Sequence, residues 1–159
     1  MQIKIFFVKS KEISYCPICS GELSVRSSKN RKVIKEDGTK EIYRLRVLKC
    51  ISCEKMHTEL PDFIQPFKHY ESEVIEAVID SIAYSCPAEE STQRHWRMQF
   101  TEKANQIDGM LTSIWMEIKM IPAKLLHKVS LLKKIRKTGT GWLRAVMRQL
   151  VNSGKYIHT

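Results

Sequence analysis

The stretch that decides the fold is residues 16–53, which read CPICSGELSVRSSKNRKVIKEDGTKEIYRLRVLKCISC. It begins with one Cys-x-x-Cys pair, Cys16 and Cys19, and ends with another, Cys50 and Cys53, with 30 residues between them. A Cys-x-x-Cys turn places two thiolates on one side of a tight knuckle, so two turns supply the four corners of a tetrahedron. The spacing predicts a zinc ribbon in which all four cysteines bind one Zn²⁺ per chain.

Four protein ligands leave no coordination position for water or substrate, so the predicted zinc is structural. Iron in a rubredoxin-like site is the alternative metal. His57 follows Cys53 by four residues and is either a replacement for one thiolate or a polar neighbour of the turn. Two disulfides also suit this spacing in a secreted protein. Because the apolar run at residues 3–8 is too short for a signal peptide, we expect a cytoplasmic protein with reduced thiols.

The residues around the two pairs predict a small sheet. Residues 3–8 are apolar apart from Lys4, and residues 42–48 alternate between apolar and polar as a half-buried strand does. Residues 23–25 and 33–34 indicate one or two further strands. Asp37-Gly38 is typical of a tight hairpin turn, so the hairpin should return the chain from the first pair to the second.

From residue 71 the apolar spacing becomes helical. Pro87 ends the first helix. The apolar face of this helix is formed by Val74, Ile75, Val78, Ile79 and Ile82. The pattern predicts a second helix over about residues 92–103 with Ser91 as its cap, a third from Ile107, a fourth from Pro122 and a last from Trp142. The prediction is an α+β chain: a zinc-ribbon domain (residues 1–70) and an all-helical, helix-turn-helix-like domain (residues 71–159).

The chain carries 27 Lys+Arg and 17 Asp+Glu, a formal net charge of +10, and the charge is unevenly placed. Residues 1–70 hold 14 basic and 8 acidic residues, residues 71–117 hold 3 and 9, and residues 118–159 hold 10 and none. A basic ribbon and a basic tail therefore flank an acidic middle. A tail of 42 residues without an acid favours contact with phosphates over a merely solvated surface.

Residues 71–103 are arranged like a helix-turn-helix, with Ser85 to Glu90 as the break. In that motif the second helix lies in the major groove, so the outward residues of its first turns reach base edges or phosphates. The candidates on this helix are Gln93, Arg94, Arg97 and Thr101. Arg44 and Arg46 share one face of a ribbon strand, and the tail adds phosphate contacts at Lys133, Lys134, Arg136, Lys137, Arg144 and Arg148.

Features of an enzyme are missing from the sequence. It has no clustered carboxylates, no plausible nucleophile–base pair and no phosphate-binding Gly-x-x-x-x-Gly-Lys loop, so we expect no enzymatic activity. No run of about 18 apolar residues predicts a membrane span. The alternative function is a protein-interaction adaptor for a transposase or another nucleoprotein complex, with Trp115 and Trp142 as anchors.

The motifs resemble a family of short bacterial proteins of unknown function that are found beside transposases on mobile elements. The resemblance covers nearly the whole chain and rests on Cys16-Pro-x-Cys19-x-Gly21-x-Leu23, Cys50-x-x-Cys53-x-x-x-His57, Glu59-Leu60-Pro61-Asp62, Pro66-Phe67-Lys68-x-Tyr70, Ser91-Thr92-x-x-x-Trp96, Gly141-Trp142-Leu143, Val151-Asn152-Ser153 and His158-Thr159. Ser20 stands where that pattern more often has glycine. The resemblance implies a DNA-binding protein linked to transposons, acting on the bacterial nucleoid as a transposition accessory or regulator.

Overall fold

The structure is a computed structural model that describes residues 4–82, 85–119 and 130–155. Its described part confirms the mixed α+β class, with one four-stranded sheet followed by helices. The strands are β1 (Ile5–Phe7), β2 (Leu23–Ile34), β3 (Lys40–Cys50) and β4 (Met56–Thr58). The helices are α1 (Ser72–Ile79), α2 (Glu90–Lys119), α3 (Leu131–Arg136) and α4 (Trp142–Asn152). Among the described residues, no helix combines the length and the apolar character needed to cross a bilayer.

The predicted hairpin is confirmed, and it consists of β2 and β3. The two predicted stretches at residues 23–25 and 33–34 belong to one strand, which pairs antiparallel with β3 from Leu23 opposite Cys50 to Ile34 opposite Lys40. At the turn, the backbone N–H of Thr39 donates to Asp37 Oδ1 (2.8 Å) and Gly38 has φ +79°. This left-handed conformation costs glycine little, which is why Asp-Gly marks the turn.

The outer edge of β3 pairs with two short strands. β1 runs parallel to it, with Ile5 opposite Ile42, and confirms a strand within the predicted residues 3–8, of which Ile3 lies outside the described residues. β4 runs antiparallel nearer the cysteines, with His57 opposite Leu48. β4 was not predicted, because three residues carry too little alternation to be recognised.

One face of the sheet is covered by the connector that follows β4. The core there contains Val33, Tyr43 and Leu45 from the hairpin and Ile64 from the connector. Phe6 of β1 stacks on Tyr43 with 5.3 Å between the ring centres. These contacts hold the hairpin against β1 and against the connector that leads to the helices.

Helix α1 ends earlier than its apolar pattern suggests. The backbone N–H of Ile82 donates to the carbonyl of Ala77 (2.9 Å), and Ser81 has φ +56°. These are the features of a helix that closes with a left-handed residue. Because the chain turns away at Ser81, Ile82 is exposed, and its predicted place on the apolar face is wrong.

Helix α2 is a single helix of 30 residues, so the prediction of separate second and third helices is wrong. Residues 104–106 read Ala-Asn-Gln and contain neither glycine nor proline, so nothing interrupts the backbone hydrogen bonds there. The buried side chains of Trp96, Ile107, Leu111 and Ile114 follow one stripe along its length. The helix begins at Glu90, so Ser91 lies in its first turn instead of capping it.

The last helices close the core. The start of the predicted fourth helix at Pro122 lies outside the described residues, and α3 begins at Leu131 with the Ser130 side chain accepting from Lys133 N (3.1 Å). Gly139 and Gly141 have positive φ and confirm the predicted break before α4. Fifteen buried residues, Trp142 among them, form the helical core in the described part of the chain.

One apolar core is built from buried residues before position 70, and the other from buried residues after it. Contacts cross the predicted boundary. Lys68 Nζ donates to Gln99 Oε1 (3.2 Å), and an Arg148 guanidinium nitrogen lies 3.0 Å from Glu12 Oε1. These polar contacts link the segments on either side of residue 70.

Candidate functional site

The first Cys-x-x-Cys pair forms a tight turn over residues 16–21, the first knuckle. The backbone N–H of Ser20 donates to the Cys16 carbonyl (2.8 Å), and the N–H of Cys16 donates to the Gly21 carbonyl (2.9 Å). Ser20 has φ +59°, a left-handed conformation that costs glycine least. Cys16 is buried and Cys19 is exposed.

The second pair repeats this turn over residues 50–55, the second knuckle. Glu54 N–H donates to the Cys50 carbonyl (3.1 Å), Cys50 N–H donates to the Lys55 carbonyl (2.9 Å), and Glu54 has φ +59°. The backbone N–H of Cys53 points to Cys50 Sγ at 3.4 Å. The same hydrogen bonds at the same offsets show that each Cys-x-x-Cys sequence fixes its own knuckle.

The four cysteine sulfurs meet at one point beyond the end of the hairpin. The Sγ atoms of Cys16 and Cys53 are 3.6 Å apart, those of Cys19 and Cys50 are 3.4 Å apart, and all four lie within 4.8 Å of one another. A tetrahedral ion with metal–sulfur bonds of about 2.3 Å has sulfur–sulfur edges of about 3.8 Å. The donor set therefore fits one metal ion, and the predicted cysteine cluster is confirmed as a place that can hold one.

The crowding of the sulfurs shifts their acidity in opposite directions. The backbone N–H of Cys53 stabilises the thiolate of Cys50 and lowers its pKa to about 6. At Cys53 the backbone N–H of Lys55 lowers the pKa, but burial and hydrogen bonds with the other sulfurs outweigh it and raise the pKa to about 12. Without a cation the four sulfurs must share protons, whereas a divalent metal replaces those protons when it binds.

His57 lies beside the sulfur cluster on β4. Its Nε2 is 3.3 Å from Cys16 Sγ, close enough for an N–H···S hydrogen bond. The four cysteines alone form the close group, so this geometry places the histidine as a neighbour of one ligand. An N–H donor at a thiolate orients the ligand and reduces the negative charge on its sulfur.

Two glycines allow close packing around the knuckles, and sequence reasoning did not recognise their role. A Cβ on Gly21 would lie 2.6 Å from Ser52 Oγ and 3.1 Å from Cys50 Sγ, so the first knuckle rests directly on the second. A Cβ on Gly154 would lie 2.7 Å from the carbonyl oxygen of Pro17. The end of α4 therefore touches the first knuckle.

On α2 the structure separates the four residues predicted to contact DNA. Gln93 donates to the Ala88 carbonyl (2.7 Å), and Thr101 donates back to the Arg97 carbonyl (2.8 Å). The Arg97 Nε donates to the Val78 carbonyl in the last turn of α1 (3.0 Å). The Arg94 side chain is exposed and forms no hydrogen bond or ion pair with any described residue.

The two ribbon arginines lie on the same face of β3, as predicted. Arg46 forms two hydrogen bonds to the carboxylate of Glu59, at 2.7 and 2.6 Å. Arg44 donates to Asn30 Oδ1 (3.2 Å) and lies 6.0 Å from the ring centre of Phe7. Arg44 therefore keeps a guanidinium without a carboxylate partner in the described part, whereas Arg46 is already neutralised.

The tail arginines are held by carboxylates elsewhere in the protein. Arg136 pairs with Asp80 and lies over the rings of Trp142 and Phe100, at 4.9 and 5.2 Å from their centres. Arg144 pairs with Glu73, and Arg148 pairs with Glu12. These side chains join parts of the protein together, so their use for phosphate binding would break existing contacts.

The tail lysines differ from the arginines. Lys133, Lys134 and Lys137 are exposed on and just after α3, and none of their ammonium groups has a partner among the described residues. The sequence treated the tail as one basic surface, but the structure divides it into arginines paired with carboxylates and the three unpaired lysines on and after α3.

Acidic side chains of the middle segment attach the tail, a role that sequence reasoning missed. Glu76 is only 4% exposed, and its two carboxylate oxygens accept from the backbone N–H groups of Gly141 (2.7 Å) and Leu143 (2.8 Å) at the start of α4. Asp108 Oδ1 accepts from Leu132 N at the start of α3 (2.8 Å). The signal available in the sequence was an acidic middle segment next to a basic tail. A carboxylate is also a favourable partner for the free N–H groups at a helix N-terminus.

One of the two tryptophans proposed as anchors for a partner lies inside the helical core. Trp142 is buried and its indole N–H donates to Asp80 Oδ2 (2.7 Å). Trp115 is half-buried and donates to Gln149 Oε1 (2.7 Å). Trp142 is therefore not exposed to a partner, and both indole N–H groups bind side chains of neighbouring segments.

A family model described as a domain of unknown function (DUF6431) matches residues 16–96, just over half of the chain, so the chain belongs to this family. The matched segment begins at the first cysteine of the cluster and continues through both knuckles and α1 to Trp96 on α2. No curated protein and no solved structure matches the chain.

Proposed function

We propose that this member of the DUF6431 family is a non-enzymatic DNA-binding protein whose sheet is stabilised by a structural metal ion. The observation that carries the proposal is the basic surface formed by Lys133, Lys134 and Lys137, here called the lysine surface. The neighbouring arginines are paired with carboxylates, whereas these lysines have no partner in the described part of the chain. Exposed cations of this kind bind phosphates and release counterions.

Zinc is the metal that we propose for the cysteine cluster, with one ion per chain. Four thiolates in a closed tetrahedral set are typical of structural zinc, and iron is the other ion that such a set accepts. The ion would be held by Cys16, Cys19, Cys50 and Cys53 and would join the two knuckles. Elemental analysis distinguishes the two metals, and an iron–thiolate site would in addition be coloured.

Within α2, Arg94 is the residue that we propose for contact with duplex DNA. The hairpin of α1 and α2 supports a helix-turn-helix-like use of this region, and the Arg94 side chain lies in the second turn of α2 with no internal partner among the described residues. Gln93, Arg97 and Thr101 have hydrogen bonds within the protein. They are therefore secondary candidates.

The biological setting is proposed from the sequence resemblance alone. Similarity to proteins encoded beside transposases supports a bacterial, nucleoid-associated accessory or regulator of transposition. The neighbouring genes provide the direct test, because an adjacent transposase is expected.

The lysine surface is tested by replacing Lys133, Lys134 and Lys137 with glutamine and titrating a labelled duplex at several salt concentrations. We expect weaker binding at low salt and a dependence of log K on log salt that is less steep by about 3, one per lost phosphate contact. The matched control replaces Lys9, Lys11 and Lys55, which are exposed on the ribbon. Equal losses in both triple variants would contradict a site at the lysine surface.

A protein-interaction adaptor is the second candidate, and one observation favours it. Ile18 and Ile51 occupy the tips of the two knuckles and are 65% and 64% exposed. Exposed apolar side chains on zinc knuckles are suited to a protein partner such as a transposase. Co-purification of a transposase that is lost in Ile18→Ser with Ile51→Ser, but retained in the lysine triple variant, would favour the adaptor.

A further inference from the structure

The face of the sheet opposite its apolar core, here called the open face, carries exposed apolar side chains. Phe6 points into the core, where it stacks on Tyr43. Because side chains alternate along a strand, Ile5 and Phe7 point to the other face, and they are 46% and 70% exposed. A phenylalanine with this much exposed ring surface is available for stacking.

The same face is basic. Arg44 lies opposite Phe7 in the register of β1 and β3 and donates to Asn30 on β2. Lys32 lies opposite Ile42, which makes it a diagonal neighbour of both Arg44 and Lys40, at about 7–8 Å by the usual sheet spacing. Three cations therefore follow one another across the face.

The charges of the open face are not balanced within the protein. Glu59 reaches this face, but both of its carboxylate oxygens bind Arg46. Arg44, Lys32 and Lys40 have no carboxylate partner among the described residues. The open face thus combines an aromatic ring with unpaired positive charge.

We propose that the open face binds single-stranded nucleic acid. A base stacks on Phe7, and the phosphates on either side contact Arg44, Lys32 and Lys40. In a duplex the base faces are covered by their neighbours, so a ring that lies on a sheet can stack only on an unpaired base. This site is separate from the lysine surface proposed for duplex DNA.

The test titrates the metal-loaded full chain into fluorescein-labelled single strands of fifteen thymidines or fifteen uridines, with a fifteen-base-pair duplex beside them. Phe7→Ala is expected to weaken single-strand binding by roughly five- to a hundredfold, the usual loss for one stacked base. Phe7→Tyr keeps a ring and is expected to retain binding. Duplex affinity should change little in either variant, and metal content with melting temperature verifies that each variant is folded.

The contribution of positive charge to binding is tested with two lysines that lie on opposite faces of the same strand. Lys32→Glu changes the open face, whereas Lys29→Glu makes the same charge change on the other face of β2, where Lys29 lies opposite Leu45. We expect Lys32→Glu to weaken single-strand binding several-fold more than Lys29→Glu. Comparison of the thymidine and uridine strands then identifies DNA or RNA as the preferred ligand.

Three results would overturn the proposal. The first is no binding of either single strand, which leaves the duplex proposal intact if the duplex still binds. The second is an equal effect of Lys32→Glu and Lys29→Glu with no effect of Phe7→Ala, since this indicates non-specific attraction. The third is a dimer that Phe7→Ala dissociates without changing oligonucleotide binding, which assigns the open face to a second copy of the chain.

Discussion

Few apolar side chains support the knuckle end of the sheet, whereas the helices enclose fifteen buried residues in the described part of the chain. At the knuckles, Ile18 and Ile51 point outward, and the side chains that meet inside are cysteines. Two acidic side chains also stabilise the helices. Glu76 accepts a hydrogen bond from a backbone N–H at the start of α4, and Asp80 accepts one from the indole N–H of Trp142. This difference predicts that the knuckle end depends on a cation held by the four cysteines, while the helices depend on apolar burial and a few buried acids.

The largest effect is expected from removal of one thiolate of the proposed metal site. Cys50→Ser replaces a buried member of the cysteine cluster, so bound metal should fall from the expected one ion per chain to nearly none. The knuckles should unfold with it, because metal binding and local folding are coupled. The helices, whose core does not involve the cysteine cluster, should keep their helical circular dichroism. Elemental analysis and amide NMR spectra measure the two effects separately.

Cys86→Ser is the matched control for this change. Cys86 packs against the helical core and lies outside the sulfur cluster, so metal content should be unchanged. A folded, metal-free Cys50→Ser protein with native knuckle resonances would show that the cation is not required there.

The same contrast explains what the sequence could predict. Each knuckle is fixed by hydrogen bonds within five residues, and the Asp37-Gly38 turn is equally local, so both were readable from short motifs. β4 and the parallel pairing of β1 depend on distant residues of β3, and the sequence carried no signal for their register.

Glu76→Gln is expected to have the next largest effect. The substitution removes the charge and replaces one acceptor by an NH₂ group, so one of the backbone donors of Gly141 and Leu143 loses its buried partner. The free energy of unfolding of the metal-loaded protein should fall by about 3 kcal/mol, the range for a buried hydrogen bond to a charged group together with the orphaned donor. Chemical denaturation measures it.

Glu102→Gln provides the control, because Glu102 is exposed on α2 and has no partner among the described residues. Its effect should stay within about 0.5 kcal/mol. Equal effects of the two substitutions would mean that Glu76 does not fasten α4.

Buried anchors such as Glu76 mark the limit of sequence reasoning in the helices. The carboxylate and the N–H groups that it binds are 65 and 67 positions apart, and no local pattern indicates such a pair. Likewise, Arg136 and Lys137 look alike in a charge count, but only a folded chain places Asp80 beside one of them. Charge totals therefore identify a basic tail, but they do not tell which of its cations are paired within the protein.

Glycine-to-alanine substitutions should change the stability of the two regions in opposite directions, with a loss at the knuckles and a gain in the helices. Gly21→Ala places a Cβ 2.6 Å from Ser52 Oγ, so the knuckles must move apart, and we expect a loss of about 2 kcal/mol in the metal-loaded protein. Gly109→Ala in α2 meets no atom within 4 Å and should stabilise the helices by about 0.5–1 kcal/mol. Thermal unfolding measures both.

A partner variant decides whether the Gly21→Ala effect comes from the predicted contact. Adding Ser52→Gly removes both the Oγ and the Cβ atoms that the new methyl group would meet. The double variant should therefore recover part of the lost stability. If it is no more stable than Gly21→Ala, the strain lies elsewhere in the knuckle.

The smallest effect is expected at the salt bridge between Arg46 and Glu59, which braces the sheet next to the knuckles. The Arg46 guanidinium lowers the pKa of Glu59 by donating two hydrogen bonds to its carboxylate. Since the folded pKa lies below the unfolded value of about 4.3, the stabilisation is complete above that value and is lost as the pH falls through the folded pKa. Both side chains are less than a third exposed, so about 1 kcal/mol is expected at neutral pH.

Glu59→Gln should remove this contribution and flatten the pH dependence of stability below about pH 4.5. The measured quantity is the difference in unfolding free energy between wild type and variant at each pH, because acid also releases the metal from both proteins. Glu12→Gln breaks the more exposed pair with Arg148 and should change stability by less than about 0.5 kcal/mol. A wild-type advantage over Glu59→Gln that persists unchanged down to pH 3 would mean that the carboxylate charge does not contribute. The brace beside the knuckles would then act through packing, as the helical core does.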